Sequence, residues 1–214
     1  MKNILDIYKE HKIMPNLVMH QLRVAAVASF LCDSLSIKVD KESVIKACLL
    51  HDMGNIIKFQ LEKFPKFNEP EGTKYWQKVK DEYINKYGKD EHKASTEIAK
   101  ELGISSYIVE LINSIDASVA ENIVTEPNFD KKICAYVDNR VSPHGVVSAE
   151  EHSLDAKERY KNHPHAFQEE DRLYFMKNLY LIENQIFSVS NIKPEDINDE
   201  SVKDKIEILK NFEI

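Results

Sequence analysis

A chain of 214 residues, 43% hydrophobic and 30% charged, is long enough for one well-buried core and short for two. Its 29 Lys and Arg against 36 Asp and Glu leave a net charge of −7, dispersed without a basic stripe, which argues against nucleic acid as a partner. No apolar stretch approaches the length of a membrane span, and MKNILDIYKEHK lacks the apolar run of a signal peptide. The expected setting is therefore the cytoplasm, away from membranes.

Five glycines and the lack of long β-branched alternation favour helices over sheet. Pro15 suits the first turn of a long helix whose apolar face runs through Leu17, Val24, Ala25, Val27, Ala28, Leu31 and Leu35. Asp40 is placed to cap a second helix through Val44, Ile45, Ala47, Cys48, Leu49 and Leu50, ending at His51-Asp52 with Gly54 as the exit. Residues 59–72, with Pro65, Pro70 and Gly72, read as a loop. Thr73 to Tyr87 resumes a helical pattern that Gly88 stops. Asp90 opens a helix carrying His92, Ile98 and Leu102, with Gly103 in the stop position, and Ser105 caps the next.

A further helix begins near Asp130 and carries Ile133, Val137 and Asp138, and Pro143 and Gly145 break it. Ser148 and Glu151 have capping-box spacing and open a polar helix to about Lys161. A long helix covers 167–188, where Tyr174, Phe175, Leu179, Tyr180, Ile182 and Phe187 suit core packing or a dimer face better than a nucleobase pocket. Asn198 caps a short terminal helix. Without repeats or a linker, residues 1–214 read as one domain. Cys32, Cys48 and Cys134, odd in number and set among apolar residues, read as reduced core thiols rather than a disulfide framework or a zinc ribbon.

The chemistry concentrates in three stretches, MPNLVMHQLRVAAVASFL, IKACLLHDMGN and CAYVDNRVSPHGVV. Together they resemble the HD-domain superfamily of metal-dependent phosphohydrolases, over roughly residues 15–145. That family's pattern is a His on one helix, a His-Asp doublet some thirty residues later and a distal Asp. The pattern falls on His20, His51, Asp52 and Asp138. The resemblance implies an all-α HD-domain helical bundle presenting these four side chains to one cleft. It also implies one divalent metal ion (Mn, Fe, Co, Zn or Mg), with Asp52 counted as both ligand and catalytic residue. Two imidazoles and two carboxylates neutralise such an ion and leave positions open, and a cation of this kind offsets the chain's negative charge toward a phosphate. An ion so held polarises a phosphoryl oxygen and activates water for attack.

The expected substrate is a small phosphorylated metabolite or nucleotide; oligomeric state is unread. Where the family often has Gly-Lys after the doublet, Asn55 stands, and Lys58 one turn later is a catalytic candidate as the replacement for that charge, or else a solvated side chain. His92 resembles the third histidine of two-metal members; with Ser114 and Asp116 where the next histidine would fall, one metal is expected and His92 becomes a catalytic, phosphate-contacting candidate. Arg23 and Arg140, near the ligands in sequence, are substrate-binding candidates because a guanidinium matches phosphate bidentately. His144 reads as structural, and His152, His163 and His165 as surface residues. The competing reading is a non-catalytic module that binds a metal or nucleotide as sensor or scaffold; a purely structural helical domain leaves the four-residue pattern without a purpose.

Overall fold

The computed structural model of the chain describes residues 2–161 and 167–214. The fold is all-α, with one two-stranded hairpin beside eleven α-helices among the described residues. Helix α1 (Ile4–Glu10), not foreseen from the sequence, is capped by Asn3, whose side chain accepts from the Leu5 amide. Helix α2 (Pro15–Ser34) starts on Pro15, where the missing N–H is no loss, and buries Leu17, Leu22, Val24, Ala25, Val27, Ala28 and Leu31. Helix α3 (Lys41–Leu50) is capped by Asp40, which accepts from the Ser43 amide, and packs extensively on α2. Short buried side chains on both, Ala25 and Ala28 on one and Ala47 and Cys48 on the other, suit a close approach of two helices.

Beyond α3 the chain makes a 3-10 turn over Asn55–Lys58. Gly54 at its entry is required by space, since a Cβ there would lie 2.4 Å from the Glu91 carbonyl oxygen and 2.6 Å from Ala94 Cβ. The loop at 59–72 is organised around buried Asn68, whose side-chain amide donates to Leu61 O at 2.9 Å while its backbone carbonyl accepts from Trp76 Nε1 at 3.0 Å. Helices α4 (Thr73–Tyr87) and α5 (Glu91–Glu101) follow, the second capped by Asp90, and Gly103 leaves α5 at φ 75°. Helix α6 (Ser106–Asn113), capped by Ser105, packs on α3 and α5.

Helix α7 (Ala120–Thr125) has too few residues to display a period and was not legible. Helix α8 (Phe129–Val137) is capped by Asn128. The helix begins next to Asp130, as expected, and Asp130 is buried in its first turn, with its carboxylate accepting from the Asp40 amide and the Tyr107 hydroxyl. Asp138–Arg140 then form a 3-10 turn into a hairpin of β1 (Val141–Ser142) and β2 (Gly145–Val146), which is what Pro143 and Gly145 build.

Helix α9 (Ala149–Tyr160) opens with the expected capping box, the Ser148 amide donating to Glu151 Oε2 at 2.8 Å and the Glu151 amide to Ser148 Oγ at 3.2 Å. In α10 (Glu169–Phe187), Leu179, Ile182 and Ile186 are buried, whereas Tyr174 and Tyr180 are exposed. Helix α11 (Asp199–Leu209), capped by Asn198, packs on α2. Core residues from α1 through α11 form one continuous cluster.

Candidate metal centre

Three helix segments deliver four side chains to one place. His20 projects from the second turn of α2. His51 and Asp52 leave the C-terminal end of α3, and Asp138 stands at the end of α8. In a continuing helix the adjacent pair would diverge by about 100°. At the helix end they converge, His51 Nε2 lying 3.5 Å from Asp52 Oδ1. The ligating atoms of His20, His51 and Asp52 all lie within 4.8 Å of one another. Asp138 Oδ1 is 3.0 Å from His20 Nε2 and 3.3 Å from His51 Nε2.

His51 is fixed from behind. Its Nδ1 lies 2.8 Å from the Cys48 carbonyl, which selects the tautomer with the proton on Nδ1 and aims the Nε2 lone pair at the cluster. That Nε2 is buried and, although Asp138 Oδ1 lies 3.3 Å away, makes no well-aligned hydrogen bond among the described residues. A buried polar atom without a partner costs free energy unless something meets it. Two imidazole nitrogens and carboxylates from two aspartates fit a divalent ion of borderline or hard character, so the residues present suit the metal that the sequence pattern implies.

The electrostatics agree with a site waiting for positive charge. Burial works against a charged His51, yet Asp52 and Asp138 push its imidazole up to about 10. Burial likewise opposes ionisation of Asp138, but His20 and His51 hold it well below the usual carboxylate range.

Around the four, the other candidates separate. The Lys58 side chain is only 26% exposed, with Nζ 3.8 Å from Glu91 Oε1, so it is not a freely solvated lysine. Burial opposes its charge, and the surrounding Asp52, Tyr160, Glu91 and Asp138 hold its ammonium above the ordinary value all the same. Arg23 is half-buried and makes no hydrogen bond or ion pair among the described residues. His92 is 53% exposed on α5, 3.8 Å from both Glu91 Oε1 and Asp116 Oδ2. The structure gives it that acidic surrounding rather than a contact with the four-residue cluster. His144 is exposed in the hairpin.

Two expectations need correction. Arg140 was placed at the phosphate because it follows Asp138 by two residues. It is instead 3% exposed, with Nε donating to Val147 O, Nη1 to the Tyr136 hydroxyl and Nη2 to Pro194 O and Ile197 O. Those donors are spent on the scaffold. His152, read as a surface residue, is half-buried on the side of α9 near the centre, within the fields of Asp138 and His20, and burial pushes it below the ordinary histidine range. His163 and His165 lie outside the described residues.

Sequence reasoning also passed over Asp155 and Arg159. Their spacing from His152, i+3 and i+7, was the available signal that a polar helix has an inner face. A family model for the HD domain matches residues 17–121. No curated protein and no solved structure matches the chain.

Proposed function

We propose that the chain, whose residues 17–121 match the HD domain, a superfamily of which many members are metal-dependent hydrolases, hydrolyses a phosphate ester or anhydride in a small metabolite. The observation that carries this reading is the buried Nε2 of His51, aimed without a well-aligned hydrogen bond into a cluster completed by His20, Asp52 and Asp138. His20, His51, Asp52 and Asp138 would hold one divalent ion. When bound, that ion supplies Lewis-acid polarisation of the phosphoryl group and a water acidified toward neutral pH.

The chain's own residues supply position and charge. The Cys48 carbonyl and the Gln21 side chain, whose Oε1 accepts from the Asp52 amide at 3.3 Å, orient the doublet. Lys58 places a cation beside Asp52 and Asp138, suited to a phosphoryl oxygen where the family often has an earlier lysine. Arg23, one helical turn from His20 and unpaired among the described residues, is available as a bidentate phosphate donor.

One observation favours a second reading, a module that binds a metal or nucleotide without turnover. Asn55 is buried in the place of that earlier lysine. A single experiment separates the two. Metal content is measured by plasma mass spectrometry on untagged protein, followed by a phosphoester screen with added Mn and Co. About one equivalent of metal together with turnover is expected, and Asp138→Ala should retain the helical circular dichroism while losing both. Metal without turnover on any phosphoester supports the binding module. Full occupancy in Asp138→Ala removes Asp138 from the ligand set.

A further inference from the structure

Helix α9 is more than a prop for the centre. It packs against the Asp138–Arg140 turn and against β1. His152, Asp155 and Arg159 are half-buried on it, whereas Glu151, Lys157 and Glu158 are exposed. At i, i+3 and i+7 the three inner residues share one face. That face is electrically part of the centre, since His152 lies in the fields of Asp138 and His20 as well as those of Arg159 and Asp155.

Arg159 is held in place from three sides. Its Nε donates to Asp155 Oδ2 at 2.6 Å. Its guanidinium carbon lies 5.0 Å from the centroid of the Tyr160 ring. Its carbonyl accepts from Lys63 Nζ at 2.7 Å, tying this end of α9 to the 59–72 loop. The side chain is only 20% exposed, and its two Nη atoms donate to no described residue. An arginine fixed through Nε presents its remaining donor pair as a preformed fork for an oxyanion, with much of the ordering cost already met by the protein.

Seven residues of helix place Arg159 about 10 Å along α9 from His152. That displacement along the helix suits an anionic group other than the reacting phosphoryl on the same molecule. Lys63, whose Nζ lies 2.7 Å from the Arg159 carbonyl, brings a second cation to the same end of α9.

We propose that Arg159, ordered by Asp155 and bordered by Lys63, forms an anion-binding subsite beside the metal centre for a second phosphate or carboxylate group of the substrate. The substrate class is then a small phosphorylated metabolite with two separated anionic groups. This inference rests on the metal-centred reading of the site, and its test reads binding rather than turnover.

The probes are non-hydrolysable phosphonates of increasing chain length, each as the alkylphosphonate and as the α,ω-phosphonocarboxylate. Binding to Mn-loaded protein is followed by titration calorimetry. For at least one length the terminal carboxylate should tighten binding about tenfold or more, the scale of a charge-assisted hydrogen-bond pair. Arg159→Met keeps the aliphatic packing and should abolish that gain while leaving the alkylphosphonate unchanged, which also certifies the fold; Arg159→Lys should retain part of it. A gain absent at every length, or one that survives in Arg159→Met, overturns the subsite. Alkylphosphonate binding that ignores the metal counts against the hydrolase reading instead, and the carboxylate gain still decides the role of Arg159.

Discussion

His51 shows how one side chain links folding to ligand binding. In the metal-free chain its imidazole is held near 10 by Asp52 and Asp138, against about 6.5 for an unperturbed histidine. A histidine raised on folding contributes stability that is complete below about pH 6.5 and disappears as pH climbs through about 10. Asp138 has the opposite sign. Its depressed value contributes above the ordinary carboxylate range, and that contribution fades as acid protonates it. A metal requires the Nε2 lone pair, so near neutral pH it must displace the His51 proton. Metal affinity measured between pH 6 and 8 should therefore rise about tenfold per unit for one proton released, while the metal-free protein loses thermal stability from pH 7 to 10. A pH-independent affinity would show that the imidazole is already neutral without metal.

At the scale of elements, the turn after α8 decides where Asp138 points, and Arg140 holds that turn. The Arg140 guanidinium ties Val147 O, the Tyr136 hydroxyl, Pro194 O and Ile197 O together, and Tyr136 in turn donates to Glu183 Oε2 at 2.7 Å. Arg140→Met would leave three carbonyls and a hydroxyl without their cation. A loss of about 3 kcal/mol in urea unfolding is expected, together with lower metal occupancy because Asp138 loses its backing. Unchanged stability would mean that solvent replaces these bonds. The sequence misplaced Arg140 for a geometric reason, since residues two apart leave a helical turn on different sides, whereas three apart, as for His20 and Arg23, they share one. Helix starts were legible wherever a side chain closes an amide, at Asp40, Asp90, Ser105, Ser148 and Asn198. Helix α7 and the two-residue strands were not, because a period needs more residues than they contain. The inner face of α9 escaped for a third reason: its buried residues are polar, so hydrophobicity does not mark them.

Across the whole molecule, the thiols connect the core to the centre. Cys48 and Cys134 are fully buried and Cys32 nearly so. Burial pushes Cys32 up to about 12 and Cys134 well above the ordinary thiol range, so neither presents a thiolate at neutral pH. A thiol reagent reaches them only when the chain opens. Cys48 lies one turn before the doublet and supplies the carbonyl that orients His51, and Cys134 lies one turn before Asp138 on α8. Any opening that exposes these two thiols dismantles the cluster. A metal bound only by the closed form stabilises it by about 2.7 kcal/mol at a hundred times its dissociation constant. When reclosing outpaces labelling, this slows modification about a hundredfold. Cys48 and Cys134, followed by mass spectrometry, should gain that protection on metal addition, and Asp138→Ala should not. Labelling indifferent to metal in the unmutated chain would place the thiols in a local opening that leaves His51 and Asp138 together.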